Sequence, residues 1–119
     1  MKHFKISEFD SPDLKGSGVF MDECFLEMID KARIVANIPF VINSGYRTKK
    51  HNKKVKGKVN SSHLKGFASD IKCNDSRSRF VIINALRSVG FTRIGIAATF
   101  IHCDTDKNKI QNLMWTYLK

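Results

Sequence analysis

Within residues 21–37 the apolar positions Phe25, Met28, Ile29, Ala32, Val35 and Ala36 recur at the three-and-four spacing of a helix with one buried face. Pro39 bars its continuation, and Phe40, Val41 and Ile42 follow as a short β run. Upstream, residues 4–18 carry Ser11-Pro12 and two glycines, which predict a short strand followed by turns. Residues 44–65 are polar, basic and aperiodic, a long loop with a helical turn near His51, and loops of that length in a small domain are usually functional. The alternation over residues 68–73 predicts a strand. Ser76 is suited to cap a second helix that ends at Gly90, with Phe80, Ile83, Leu86 and Val89 on or near its inner side. Further strands are predicted at residues 93–96 and 99–104, and a last short element at residues 110–118. The order helix, strands, helix, paired strands predicts an α+β domain over residues 1–119, its helices packed on a small antiparallel sheet.

Composition adds limits to this picture. The 119 residues are 42% hydrophobic and 27% charged, as in an ordinary soluble domain with one core. No apolar run approaches the roughly 18 residues a membrane span needs. The opening Met1-Lys2-His3-Phe4-Lys5 lacks the apolar core of a secretory signal, so the chain is expected to be soluble where it is made. Any role outside the cytoplasm would then need a separate means of release. Cys24, Cys73 and Cys103 form neither an even set nor a Cys-x-x-Cys pair, which argues against a disulfide framework and a cysteine-rich zinc knuckle; they read as reduced, mostly buried residues. The net charge of +10 predicts attraction to a polyanion, such as nucleic acid, an anionic membrane surface or the bacterial wall. Much of that charge lies between Arg47 and Lys65, including Lys49, Lys50, Lys53, Lys54, Lys56 and Lys58, which also fits a solvated basic loop.

Candidate chemistry concentrates in Ser61-Ser62-His63-Leu64-Lys65-Gly66-Phe67-Ala68-Ser69-Asp70. An imidazole and a carboxylate stand seven residues apart, with the small residues Gly66 and Ala68 between them allowing the backbone to turn closely. Both are ligand types that zinc prefers, and a third can come from Phe100-Ile101-His102-Cys103-Asp104. On a strand Phe100, His102 and Asp104 share one face, so His102 and Asp104 would look into the same cleft. Trp115 either lines that cleft or closes the core, and the core is the expected place.

The pattern Ser61-x-His63-x-x-Gly66-x-Ala68-x-Asp70 resembles the S-x-H-x-x-G-x-A-x-D signature of the zinc D-alanyl-D-alanine carboxypeptidases and related peptidoglycan endopeptidases. Ser44-Gly45-Tyr46-Arg47-Thr48, followed by His51-Asn52, is similar to that family's upstream segment. Gly95-Ile96 and then Phe100-Ile101-His102-Cys103-Asp104-Thr105 are similar to its closing one. The three motifs stand in the family's order, and the hedgehog signalling domain shares the fold this implies. The resemblance implies a zinc cofactor held by His63, Asp70 and His102, and an Arg47 that binds substrate or steadies the developing oxyanion. Three protein ligands leave one position of the ion open for water. Ser61 and His51 become candidate substrate contacts. For Ser61 a turn or cap role competes, and no acidic partner completes a nucleophilic triad with it; for His51 a loop-stabilising hydrogen bond competes. Several family members carry an acid three residues before the last ligand histidine, where this chain has Thr99. The proton-accepting role therefore passes to Asp104, which could instead be a carboxylate that orients a ligand histidine.

The expected activity is zinc-dependent hydrolysis of peptide bonds next to D-amino acids in peptidoglycan stem peptides, by a carboxypeptidase or an endopeptidase. A basic enzyme of this size suits a phage lysin released to the wall or carried on a virion. Its expected partners are peptidoglycan peptides and anionic wall polymers. The alternative is a non-catalytic zinc-containing binding domain of the same fold, which the Thr99 substitution favours. A nucleic-acid module is disfavoured, because the basic loop lacks interleaved aromatics and zinc-finger spacing.

Overall fold

The computed structural model describes residues 1–117; the final residue of the predicted terminal element, Leu118, lies outside them. Helix α1 (Glu23–Ala36) begins where the Asp22 side chain accepts from the Phe25 N–H and ends at Asn37 in the left-handed region. Helix α2 is the short Lys49–Lys54 segment, capped by Thr48. Helix α3 (Ser76–Ser88) is capped by Asp75, one residue before the expected Ser76, with the Ser78 N–H donating to its carboxylate at 2.8 Å. The strands are β1 (Ile42–Ser44), β2 (Ala68–Lys72), β3 (Arg93–Ile96), β4 (Phe100–Asp104) and β5 (Leu113–Thr116).

These five strands form one sheet in the order β1-β2-β4-β3-β5. The fold is α+β as expected, but the sheet is mixed rather than wholly antiparallel, because β5 runs parallel to β3. The connection after β4 carries the chain past β3 to its far side. A chain that turns back from β4 runs opposite to β4, and so in the direction of β3.

The alternation of side chains assigns the two faces. Ile71 of β2, Ile94 of β3, and Ile101 and Cys103 of β4 join Phe25, Ile29 and Ala32 of α1 and Ile82, Ala85 and Leu86 of α3 in one buried core. Two apolar positions of the expected helix faces turn out differently. Val35 is 56% and Phe80 68% exposed, whereas Leu26 and Ile82 are buried. The α3 stripe runs through Ile82, Ala85 and Leu86, and Phe80 precedes Ile82 by two residues, more than half a turn away.

Residues 4–18 form no strand. Two 3₁₀ turns, Ile6–Phe9 and Ser17–Phe20, stand there instead. Asp10 accepts from the Gly16 and Gly18 N–H groups at 2.9 and 2.7 Å, and Glu8 from the Lys5 N–H at 2.7 Å, so side chains satisfy the backbone that a strand would have paired. The expected β run at residues 40–42 lies two residues later, at Ile42–Ser44, since Phe40 is drawn into the core and the β1–β2 register slips between Ile42 and Ser44. Cys73 and Cys103 are buried, while Cys24 is exposed.

Candidate metal centre

One row of register partners crosses the whole sheet on the face away from the helices: Ser44 with Asp70, Asp70 with His102, His102 with Gly95, and Gly95 with Trp115. Asp70 and His102 are thereby neighbours on adjacent strands. His63 comes from the 3₁₀ turn Ser62–Lys65, which is capped by Ser61 and ends at Gly66 in the left-handed region, φ 77°. A Cβ at Gly66 would stand 2.3 Å from the Phe20 carbonyl oxygen, so this position needs glycine both for its conformation and for its contact. The close turn returns the chain into β2 and sets His63 over Asp70.

One donor atom each from His63, Asp70 and His102 lies within 4.8 Å of the others, and all three residues are buried. Asp70 Oδ1 is 3.3 Å from His63 Nε2 and 2.9 Å from His102 Nδ1. The remaining ring nitrogens decide which lone pairs face the centre. His63 Nδ1 is 2.8 Å from the Gly45 carbonyl oxygen; a carbonyl only accepts, so Nδ1 carries the proton and Nε2 presents its lone pair. His102 Nε2–H donates to Asp104 Oδ2 at 2.8 Å, leaving Nδ1 to face Asp70. Asp104 is itself held at its other oxygen by Arg93 Nε, 2.7 Å away, and by the Asp106 N–H at 3.1 Å.

These contacts set the charges. Burial pushes the Asp70 carboxyl up, but its close contacts with the His102 and His63 rings outweigh it and hold the group well below its usual range. Burial likewise opposes ionisation of Asp104, which its bond to His102 overcomes. For His102, burial lowers the pKa, and the hydrogen bonds to Asp104 and Asp70 together with their charges raise it above the ordinary histidine value. To act as a metal donor, His102 must give up its Nδ1 proton, while the ionised Asp70 between the rings supplies the charge a cation would share. Two imidazoles and a carboxylate, with each ring fixed through its other nitrogen, are a donor set that fits zinc.

The centre forms the floor of an open cleft of about 500 Å³. Arg47 lines it, with Nη2 3.5 Å from Asp70 Oδ2, and is held by Nε–H donation to Ser44 Oγ at 3.0 Å and an Nη1 contact to Asn52 Oδ1 at 3.2 Å. Ser61 also lines the cleft, but its oxygen accepts from the His63 N–H at 3.2 Å, the cap role among its two readings. His51 is not brought to the cleft. It sits in α2, where its backbone N–H donates to Thr48 Oγ1 at 3.1 Å. Thr99 is exposed in the turn between β3 and β4.

Three residues that sequence reasoning left aside or placed elsewhere belong to this site. Arg93 is buried and pairs with Asp104; a lone arginine in an otherwise apolar strand was the available signal, since a buried guanidinium needs a carboxylate. Trp115 and Tyr117 line the cleft, so Trp115 does not close the core as expected.

This floor defines a class first: a candidate mononuclear metal centre with its donors converging on an open cleft. The family then follows from the sequence as a whole. Residues 2–104 match the family described as Peptidase M15, and the chain belongs to it. Peptidases of this family are metallopeptidases and typically zinc-dependent. No curated protein matches the chain.

Proposed function

We propose that this chain is a zinc peptidase that hydrolyses peptide bonds next to D-amino acids in peptidoglycan stem peptides. The observation that carries the reading is the convergence of His63 Nε2, Asp70 Oδ1 and His102 Nδ1 on one point at the floor of a cleft large enough for a short peptide. Bound there, zinc would polarise the scissile carbonyl and activate water for attack. Arg47, fixed by Ser44 and Asn52 beside Asp70, faces the same space and stabilises negative charge developing on the carbonyl oxygen. Asp104 has both oxygens engaged, by His102 and by Arg93, which supports its role as the carboxylate that orients a ligand histidine over its role as proton acceptor.

The exposed lysines of α2 and the turn after it, Lys49, Lys50, Lys53, Lys54, Lys56 and Lys58, form a basic surface beside the cleft that suits anionic wall polymers. No helix among the described residues is long and apolar enough to cross a membrane. A lytic role at the wall, after release from a host cell or from a virion, fits this surface. The test is digestion of purified peptidoglycan by the zinc-loaded chain with mass analysis of the fragments. The expected result is a new product set from hydrolysis of one stem-peptide bond, and the masses identify that bond. Intact peptidoglycan at full zinc occupancy would favour the non-catalytic zinc domain.

A further inference from the structure

The wall of the cleft formed by β5 has a chemistry of its own. β5 lies beyond the residues that match the family, and it sets Leu113 and Trp115 along the cleft, followed by Tyr117 just after its end. Gly95 makes this possible. A Cβ there would meet Trp115 Nε1 at 2.7 Å and Tyr117 Cε1 at 2.8 Å, so both rings lean into space that any other residue would fill. The Trp115 ring thus comes to 5.5 Å from the His102 ring, with the Arg93 guanidinium 5.0 Å from its centroid. Tyr117 stands 6.4 Å from Trp115 and 5.3 Å from Phe100, which continues the aromatic surface onto β4.

This wall is not sealed by protein: Trp115 is half-buried and Tyr117 is 47% exposed. Contiguous exposed aromatic surface beside a polar floor marks a place where a ligand packs. The other side of the cleft carries the exposed Lys56 and Lys58, on the segment that packs against Asn52 and Arg47. A ligand that satisfies both walls has an apolar flank and a negative charge.

We propose that Trp115 and Tyr117 form a specificity-determining platform that packs the apolar flank of a bound anionic peptide, whose carboxylate Lys56 and Lys58 meet across the cleft. The proposal rests on the peptidase reading for the identity of the occupant, and extends it by naming the surface that selects it. Trp115 acts on binding rather than on the reacting bond, so its loss is felt in KM.

Trp115 is the chain's one tryptophan, so its fluorescence reports on this wall alone. The experiment titrates the zinc-loaded protein with a synthetic stem peptide ending in D-Ala-D-Ala while following tryptophan emission, and measures hydrolysis of that peptide in parallel. The expected result is a saturable change in emission, with KM raised about three- to tenfold in Trp115→Ala and Tyr117→Ala, the loss of one aromatic packing contact. Trp115→Phe should recover most of the loss, and zinc stoichiometry and kcat should stay near those of the wild type. Hydrolysis with unchanged emission, or with KM unchanged in both alanine variants, would overturn the platform. So would loss of zinc or of kcat alone in Trp115→Ala, because Trp115 would then only support His102. Saturable emission change without hydrolysis would keep the platform and defeat the peptidase reading; neither signal would defeat both.

Discussion

On the helix side of the sheet, Ile71, Ile94, Ile101 and Cys103 meet Phe25, Ile29, Ile82 and Leu86 in a mostly apolar core. On the cleft side the same strands carry Asp70, Arg93, His102 and Asp104, and almost every polar atom there has a named partner at a fixed distance. β4 divides between the two sides by alternation alone, with Ile101 and Cys103 to the helices and His102 and Asp104 to the cleft. The apolar side depends on shape and volume, and one residue there can replace another of similar size. The polar side depends on which atom faces which, and a change of one atom is enough to alter it.

The comparison can be broken on either side, and the largest effect is expected in the core. Ile101→Ala should lower stability by about 2–5 kcal/mol, read from denaturant unfolding, while the folded fraction keeps its zinc. Loss of zinc at full folding would mean that the two sides are not separable. Next is Arg47→Ala, expected to reduce turnover roughly a hundred- to a thousandfold with zinc content unchanged, as for loss of one oxyanion donor. Near-normal turnover would reduce Arg47 to a structural partner of Asp70 and Ser44. Smaller again is Asp104→Asn, which should weaken zinc binding about ten- to a hundredfold and be rescued by excess metal, as for loss of an orienting carboxylate. Loss of turnover at full zinc occupancy would return Asp104 to the proton-accepting role.

The smallest effect concerns acid. Burial pushes the Asp106 carboxyl up, but the Ser62 hydroxyl at 2.8 Å, the Asn108 N–H at 3.2 Å and the charges of Lys65 and Lys109 hold it below its ordinary value. Because the folded value is depressed, this stabilisation is fully present above the unfolded carboxylate pKa of about 3.9 and is lost as the pH falls through the folded value. Asp106→Asn should therefore flatten the decline in stability below about pH 4, measured by unfolding across pH. An unchanged acid slope would remove Asp106 from that account.

Much of the apolar side was legible in the sequence. The periodicity of residues 21–37 locates α1, and the strands predicted at residues 68–73, 93–96 and 99–104 match β2, β3 and β4 to within a residue. The clustering of His63, Asp70 and His102 was legible in part: Gly66, Ala68 and strand alternation suggested that they could converge, and the family resemblance supplied the set. What failed was what depends on a partner elsewhere in the chain. The Asp10 bonds to Gly16 and Gly18 turn a predicted strand into 3₁₀ turns. The direction of β5 follows from β3 standing between it and β4. Trp115 leaves the core for the cleft because a neighbouring strand carries a glycine at its register partner, which no property of Trp115 itself reveals.

The central claim is that His63, Asp70 and His102 hold one zinc ion through lone pairs fixed by Gly45 and Asp104. It is tested most directly by elemental analysis of the wild type and His63→Ala, both purified without chelator and then offered zinc. The expected result is one zinc per wild-type chain and little in the variant, since two remaining ligands hold the ion poorly. A wild-type chain that contains no zinc and takes up none, or a His63→Ala chain that binds it as fully, would contradict the claim.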